Sequence, residues 1–148
     1  MRTFIFVTML KPTFISGGIH TDKRGILSFV NDFDMEAVRR MYLIEHPDTA
    51  VIRAWQGHQI EQKWFLVVQG SFKIAVVQPD NWLQPSKKRV PEIFILSADK
   101  PGVLHIPGGY ATGFSATEAG SKMMVFSDAT IEESKKDDYR FEADYWKI

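Results

Sequence analysis

The stretch VIRAWQGHQIEQKWFLVVQG, residues Val51 to Gly70, decides the fold because it places two strand-like runs around a polar turn. Branched and aromatic residues dominate the second run, Trp64–Val68, which ends at the turn residues Gln69-Gly70. A run of this kind between turn residues is typical of a β-strand. The turn therefore predicts a hairpin with the next apolar run, Phe72–Val77.

The same pattern recurs along the chain and predicts an all-β fold. The predicted strands are Ile26–Val30, Met41–Glu45, Thr49–Arg53, Trp64–Val68, Phe72–Val77, Glu92–Leu96, Val103–Ile106 and Lys122–Ser127. Strands at this spacing favour a sandwich or a barrel. Met35–Arg40 is compatible with a short turn. Ile131–Lys136 predicts a short C-terminal helix with Thr130 as N-cap, because glutamates occupy its first turn and lysines its last.

Composition predicts one compact domain over residues 1–148 and limits its partners. Hydrophobic residues make up 45% of the chain, enough for a core, and the formal net charge is +0. No overall basic field would recruit nucleic acid or an acidic membrane surface. The apolar run Phe4–Leu10 is too short to cross a membrane and is predicted to form a strand. The absence of cysteine excludes disulfides and is compatible with the cytoplasm.

Four polar side chains of the decisive stretch could carry chemistry: Arg53, Gln56, His58 and Lys63. In an extended segment Gln56 and His58 share a face, because side chains alternate along a strand. A nearby lysine disfavours the imidazolium form, so His58 would stay neutral and could act as a general base. Lys63 could stabilise the enolate that forms when a proton leaves a carbon beside a carbonyl. The alternative is a structural histidine and a surface lysine.

Several motifs, in order along the chain, resemble one group of enzymes. The segments DKRGILSFVND, RAWQGH, QKWFLVVQGS, LHIPGGYATGF and DDYRFEADYW are similar to cupin-fold nucleotide-sugar enzymes. These are the dTDP-4-dehydrorhamnose 3,5-epimerase superfamily and its relatives, the dTDP-sugar 3,4-ketoisomerases. The resemblance runs from about Asp22 to the end of the chain. It implies a jelly-roll β-barrel and a homodimer with exchanged N-terminal strands.

Position by position, the resemblance favours a 3,4-ketoisomerase over an epimerase. Gln56 occupies the position of the epimerase base, and a neutral amide cannot take a proton. The epimerase tyrosine acid would fall close to Asp128–Thr130, where there is no tyrosine. His58 matches the second histidine of the ketoisomerase motif, Tyr42 matches a tyrosine before that motif, and Lys63 matches an epimerase lysine. The implied catalytic residues are therefore His58, Lys63 and Tyr42.

The resemblance also implies the residues that bind substrate. Arg24 and Arg53 match arginines that contact the nucleotide diphosphate, and a guanidinium group pairs bidentately with phosphate oxygens. The alternative for either arginine is an ordinary surface ion pair. Gln56 would bind a sugar oxygen. Trp55 and Tyr110 would line the pocket, although most aromatic residues of such a chain belong to the core.

Many cupins bind a metal, but this sequence is unfavourable for one. The positions that correspond to the usual ligands are Gln56, His58, Lys63 and Thr112. One good ligand remains among them, and an ammonium group would repel a divalent ion. We therefore expect neither a metal nor another cofactor.

The sequence thus predicts a metal-independent isomerase of a nucleotide-linked 4-keto-6-deoxyhexose, dTDP-linked by resemblance, that works by proton transfer. Two alternatives remain. One is a 3- or 3,5-epimerase of the same substrate class. The other is a non-catalytic cupin that binds nucleotide sugars.

Overall fold

The computed structural model describes residues 10–148, and most of its ordered elements are β-strands. Of the predicted strand Phe4–Leu10, only Leu10 lies within the described residues. In chain order the elements are β1 (Thr13–Ser16), β2 (Gly18–Asp22), β3 (Gly25–Phe29), β4 (Arg40–His46), β5 (Ile52–His58), β6 (Lys63–Gln69), β7 (Ser71–Val77), β8 (Glu92–Ser97), β9 (Gly102–Ile106), β10 (Tyr110–Ala116), β11 (Ser121–Ser127), α1 (Ile131–Lys135) and β12 (Tyr139–Arg140). No helix within residues 10–148 is long and apolar enough to span a membrane.

The strands form two five-stranded antiparallel sheets and one separate hairpin. The first sheet has the order β1-β9-β6-β11-β4, and the second has the order β12-β5-β10-β7-β8. Strands β2 and β3 pair only with each other in the described part of the chain. Because β4 to β7 alternate between the sheets, the chain crosses from one sheet to the other at each of these connections.

The two sheets enclose a core of large apolar side chains. Strand β7 reads SFKIAVV, and all of its residues except Lys73 are buried, as expected for a strand covered on both faces. The core draws on both sheets and contains Phe65, Val67, Phe72, Ile74, Val76, Leu96, Leu104, Ile106, Phe114, Ala116, Met123 and Val125. Each such large side chain stabilises the fold by roughly 1.5–3 kcal/mol relative to exposure.

Residues 137–148, called the C-terminal strap below, cover the outer face of the second sheet. Trp146 packs edge-on against Trp55, with ring centroids 5.2 Å apart. The Trp146 indole N–H donates to the carbonyl oxygen of Ser86 at 2.9 Å. The backbones of Phe141 and Trp55 exchange two hydrogen bonds, so the strap extends the sheet beside β5.

Seven of the predicted strands are confirmed with bounds that differ by at most one residue. The predicted strand Thr49–Arg53 is wrong in its bounds, because β5 begins at Ile52 and continues to His58. The predicted helix is confirmed at Ile131–Lys135. Its N-cap, Thr130, forms a capping box with Glu133. In Met35–Arg40 the structure has a turn at residues 36–37, and Arg40 begins β4.

Strands β1, β2, β10 and β12 were not predicted from the sequence. The most important of them is β10, which reads YATGFSA. Its small residues and Gly113 give little of the branched and aromatic signal that identifies strands. Gly113 nevertheless has a packing role, because a Cβ there would meet the Cβ of Ala54 at 2.7 Å.

The predicted hairpin at Gln69-Gly70 is wrong. Strand β6 pairs with β9 and β11, whereas β7 pairs with β10 and β8, so the turn joins two different sheets. Gly70 adopts a φ of 71°, and its carbonyl oxygen accepts a hydrogen bond from the Ala98 N–H at 2.9 Å. The N–H of Ser71 donates to Oγ of Ser121 at 3.0 Å. These long-range bonds redirect the chain across the core instead of back along β6.

We expect Gly70→Ala to destabilise the protein more than Gly120→Ala. Both glycines have left-handed φ values, 71° and 73°, so an alanine at either position costs about 1 kcal/mol. A Cβ at Gly70 would also collide with Oγ of Ser121, whereas at Gly120 it would lie 3.8 Å from Nε2 of Gln69, an ordinary contact. Urea unfolding of both variants measures the difference. Equal losses of unfolding free energy would contradict the packing role assigned to Gly70.

Candidate active site

A cavity of about 400 Å³ opens between the two sheets and is lined by both polar and aromatic side chains. The first sheet contributes β4 and β6, and the second contributes β5 and β10. The C-terminal strap closes one side. The lining residues are Tyr42, Ile44, Ile52, Arg53, Ala54, Trp55, Gln56, Lys63, Phe65, Thr112, Phe114, Arg140 and Phe141.

A β-bulge in β5 brings Arg53 and Gln56 to the same cavity. Thr112 pairs with Gln56 and Phe114 pairs with Arg53, so two steps on β10 correspond to three on β5. In a regular strand, residues three apart would point to opposite faces. The extra residue of a bulge restores the common face and re-aims the side chain. Regular alternation along β5 would have placed Arg53 and Gln56 on opposite faces. The sequence pattern therefore could not have predicted that both line the same cavity.

Lys63 lies at the centre of the cavity wall. Its side chain is largely buried, with the residue 6% exposed. Its Nζ donates to Oε1 of Gln56 at 3.1 Å and lies 5.8 Å from the centre of the Tyr42 ring. Among the described residues, no carboxylate forms an ion pair with Lys63. A buried cation with one neutral partner makes this wall favourable for an anionic or strongly polar ligand.

Gln56 links Lys63 to the C-terminal strap. Its Nε2 donates to Oδ1 of Asp138 at 3.0 Å, and Nε of Arg140 donates to the same oxygen at 2.8 Å. Burial would raise the pKa of the Asp138 carboxyl, but the hydrogen bonds from Arg140 and Gln56 outweigh it and hold the pKa below its usual value. The strap thus places a charged pair beside the cavity.

His58 is next to the cavity but does not line it. It lies two residues beyond Gln56 on β5, on the same face, and is 4% exposed. Its Nδ1 is 2.6 Å from the carbonyl oxygen of Asp137, whereas its buried Nε2 has no hydrogen-bond partner in the described part of the chain. Burial lowers the pKa of His58, and Lys63 lowers it further. The sequence analysis expected a neutral His58 because of Lys63. In the structure, burial is the larger cause of the lowered pKa of His58.

The other predicted site residues are divided between the cavity and other parts of the structure. Tyr42, predicted to be catalytic, lines the cavity. Trp55 borders it but is 1% exposed and packs mainly under the strap against Trp146. Tyr110 pairs with His58 across β5 and β10 and packs against the core outside the cavity lining. Arg24 lies in the β2–β3 turn, where its Nη2 is 2.6 Å from Oδ2 of Asp22.

Arg140 and Phe141 were not predicted as site residues, although they belong to the segment DDYRFEADYW that contributes to the family resemblance. Both line the cavity because the strap pairs with β5: Arg140 is opposite Gln56 in the register. The same edge borders a second groove, whose basic lining residues are Arg40, Lys63, Lys135 and Arg140. No local pattern in DDYRFEADYW indicates that it folds back over β5, so this signal depends on tertiary structure.

The residues of this region do not form a metal-binding cluster. Within residues 10–148, no group of three or more histidine, cysteine, aspartate or glutamate side chains could hold a metal ion. At the four positions where the resemblance places cupin ligands, Gln56 and Lys63 bond to each other instead.

Solved structures with the same fold are nucleotide-sugar enzymes. A sugar 3,4-ketoisomerase from Thermoanaerobacterium thermosaccharolyticum in complex with TDP has a TM-score of 0.69 and 20% identity over 93% of this chain and 93% of that chain. The TDP-quinovose 3,4-ketoisomerase from Campylobacter jejuni has a TM-score of 0.67 and 17% identity over 90% and 95%. A 3'-monoepimerase from Streptomyces bikiniensis in complex with dTDP has a TM-score of 0.73 and 14% identity over 88% and 69%.

These similarities confirm the predicted fold, an all-β cupin jelly roll with a short C-terminal helix. They also confirm the predicted resemblance to dTDP-sugar 3,4-ketoisomerases and epimerases. At identities of 14–20% these similarities show the fold alone. The chemistry has to be argued from the residues of the site. No family model matches the sequence, and no curated protein matches it significantly.

We expect Lys63→Met to raise the pKa of His58. The substitution keeps most of the side-chain volume but removes the ammonium charge that disfavours imidazolium. An NMR titration of the histidine ring protons measures the change. Lys100→Met, at an exposed lysine in the β8–β9 connection, is the control and leaves the pKa of His58 unchanged. If both variants titrate like the wild type, Lys63 does not act on His58.

Proposed function

We propose that this protein is an isomerase of a nucleotide-linked 4-keto-6-deoxyhexose, dTDP-linked in our proposal, and that it moves the keto group from C4 to C3. The observation that carries the proposal is the cavity whose lining brings together Arg53, Arg140, Lys63 and Tyr42. The fold shared with 3,4-ketoisomerases supports the substrate class. A chain without cysteine suits the cytoplasm, which we propose as its compartment.

The cavity can hold the two chemically distinct ends of such a substrate. Arg53 has no ion-pair partner among the described residues, and Arg140 shares only Asp138. Both guanidinium groups can pair with diphosphate oxygens. Phe114 and Phe141 offer apolar ring surface to a base or a sugar. The hexose would then lie against Gln56 and Lys63.

The reaction needs a base, a group that stabilises the enolate and no external oxidant. His58 removes the C3 proton at Nε2, and the electrons move into the C4 carbonyl to give an enediol. Lys63 and Tyr42 stabilise and protonate the oxygen on C4. His58 then returns its proton to C4, while the C3 hydroxyl gives its proton to the Lys63–Tyr42 pair in place of the one donated to the C4 oxygen, so the carbonyl forms at C3. Atoms and electrons balance within the sugar.

We infer that His58 becomes accessible when Gln56 changes its partner. Gln56 lines the cavity and bonds to Lys63, while Nε2 of His58 is buried without a partner among the described residues. A sugar oxygen that replaces the Gln56 carbonyl as the partner of Lys63 would free the amide to move. The exposed Nε2 would then meet the sugar carbon.

The buried position of His58 favours a second candidate, a cupin that binds nucleotide sugars without converting them. His58 is outside the cavity lining, and the neutral Gln56 stands in the position of the epimerase base. Such a protein would use the arginines and lysine of the cavity for binding alone. Hydrogen exchange on the sugar distinguishes the two candidates.

Incubation with dTDP-4-keto-6-deoxyglucose in deuterated water is expected to give a 3-keto product with deuterium at a ring carbon. His58→Asn should reduce the rate by roughly 10²–10⁴-fold, because it removes the acid–base group. Lys100→Met, at an exposed lysine in the β8–β9 connection and outside the cavity lining, is the control and keeps full activity. NMR of the product identifies its configuration and carbonyl position.

Each other outcome of that incubation has a defined meaning. Inversion at C3 or C5 with the carbonyl retained at C4 would replace the ketoisomerase with an epimerase. Binding without exchange, unchanged in His58→Asn, would establish the non-catalytic candidate. Absence of both binding and exchange on nucleotide-linked keto sugars would reject this substrate class.

We further propose that two copies of the chain associate through the β2–β3 hairpin. This hairpin pairs with no other described strand, and Ile26 and Leu27 are 72% and 58% exposed. A two-stranded hairpin is marginally stable alone, so its exposed apolar side chains favour a second copy as partner. Arg24 at its tip could then reach the cavity of the other copy, which would account for its distance from the cavity of its own chain.

Replacement of Ile26 by aspartate should convert the dimer to a monomer. Light scattering coupled to size-exclusion chromatography measures the mass in solution. Val90→Asp, at a residue 88% exposed in the loop before β8, introduces the same charge and should leave the dimer intact. A wild-type protein that elutes as a monomer at micromolar concentration would contradict the proposal.

A further inference from the structure

Glu61 has a buried carboxylate next to His58, and this carboxylate has no role in the reaction proposed above. Glu61 is 3% exposed, and its Oε1 is 3.5 Å from Nδ1 of His58. This distance is long for a hydrogen bond but short for a Coulomb interaction in a buried site. Oε1 has no hydrogen-bond partner among the described residues. A side-chain contact with Ser134 also helps to lower the pKa of the Glu61 carboxyl.

The position of Glu61 is fixed by contacts on every side. Oγ of Ser127 donates to Oε2 at 2.6 Å, and Nη2 of Arg40 is 3.4 Å from the same oxygen. The backbone N–H of Glu61 donates to Oδ2 of Asp137 at 2.8 Å. Burial would raise the pKa of Glu61, but the Ser127 hydrogen bond and other contacts outweigh it, so the pKa is lowered and the group is ionised near neutral pH.

The tautomer of His58 follows from the same geometry. A carbonyl oxygen can only accept, so the 2.6 Å contact with Asp137 requires a proton on Nδ1 of His58. In the neutral ring Nε2 then carries the lone pair. When Nε2 takes a proton, the positive charge of the imidazolium is shared with Nδ1, next to the Glu61 carboxylate.

We propose that Glu61 is a positioning residue for His58: it lies beside the Nδ1 proton that the Asp137 carbonyl holds, so that Nε2 is the base, and it stabilises the imidazolium formed during proton transfer. The catalytic consequence rests on the proposed function, whereas the tautomer and the electrostatic coupling do not. Glu61 acts through His58 and does not line the cavity.

The charged groups around His58 explain why this carboxylate is needed. From β6, Lys63 lowers the pKa of His58, as burial does more strongly, while Glu61 and Asp137 raise it. Asp138 lies on the strap, and the charge of His58 helps to lower the pKa of its carboxyl. Arg40, from β4, faces the far oxygen of Glu61. Without Glu61, the imidazolium would be buried with a cation nearby and little to compensate it.

Ring-nitrogen NMR on the full chain with 15N-labelled histidine tests the proposal without substrate. We expect His58 to carry its neutral proton on Nδ1 in the wild type. In Glu61→Gln the pKa of His58 falls, while the Nδ1 tautomer persists because the Asp137 carbonyl remains. Glu132→Gln, at an exposed glutamate on α1, leaves both unchanged. A proton on Nε2, or an unchanged pKa in Glu61→Gln, overturns the proposal.

A measurement on the wild type keeps the test decisive if Glu61→Gln does not fold. The 13C shift of the Glu61 carboxyl carbon should follow the protonation of His58 in a pH titration. A Glu61 signal that does not respond when His58 titrates overturns the coupling.

Kinetics separate this proposal from the proposed function. If the wild type isomerises the keto sugar, Glu61→Gln should lower kcat by about 3- to 10-fold per unit of pKa lost, shift the acid limb of the pH profile to lower pH and leave KM nearly unchanged. A wild-type rate in Glu61→Gln overturns the positioning role. If the wild type shows no exchange but the ring signals respond as expected, the positioning role stands and the proposed function fails.

Discussion

The side chain and backbone of one residue, Asp137, hold the site together. Its carboxylate accepts hydrogen bonds from three consecutive backbone N–H groups, those of Gln59, Ile60 and Glu61, at 2.8–2.9 Å. Its carbonyl oxygen holds Nδ1 of His58. Without Asp137, the N–H of the buried Glu61 would lack a partner, which costs about 1–3 kcal/mol. These bonds join the start of the strap to the β5–β6 turn.

The consequence for function is that the strap is part of the cavity wall. Two residues after the Asp137 anchor, Tyr139 pairs with Gly57, and Arg140 pairs with Gln56. Trp82 packs against Tyr139 with ring centroids 5.0 Å apart, and a Cβ on Gly57 would approach the Trp82 ring at 2.6 Å. Gly57 is thus required for the close approach of an aromatic side chain on the outer face, rather than for room around a ligand.

The sequence predicted most of the strands and the residue types of the site, because both are local signals. The alternation of apolar residues identifies β4 or β11 without knowledge of their partners. The partners are not local, and this is why the Gln69-Gly70 hairpin was wrong: a left-handed glycine turn looks the same whether the strands pair or separate. The bulge that aims Arg53 into the cavity depends on Gly113 of β10, a strand with almost no signal of its own.

The buried charges were the least predictable part of the site. Glu61 follows His58 by three residues in a polar turn, which resembles a solvated loop in the sequence. Its burial becomes reasonable only when Ser127, from β11, and Arg40, from β4, are seen to converge on it. A charge is buried where distant strands supply its partners, and such partners leave no trace in the local pattern.

Gln56 joins Lys63 to the strap through a neutral amide. Its carbonyl oxygen accepts from Lys63 while its Nε2 donates to Asp138, and the amide itself does not titrate. A histidine in its place would lose its acceptor on protonation and would then face the Lys63 ammonium as a second cation. With an amide there, Lys63 faces a neutral acceptor whether or not His58 is protonated. Among the side chains of β5, His58 is the one whose neutral form can accept a proton.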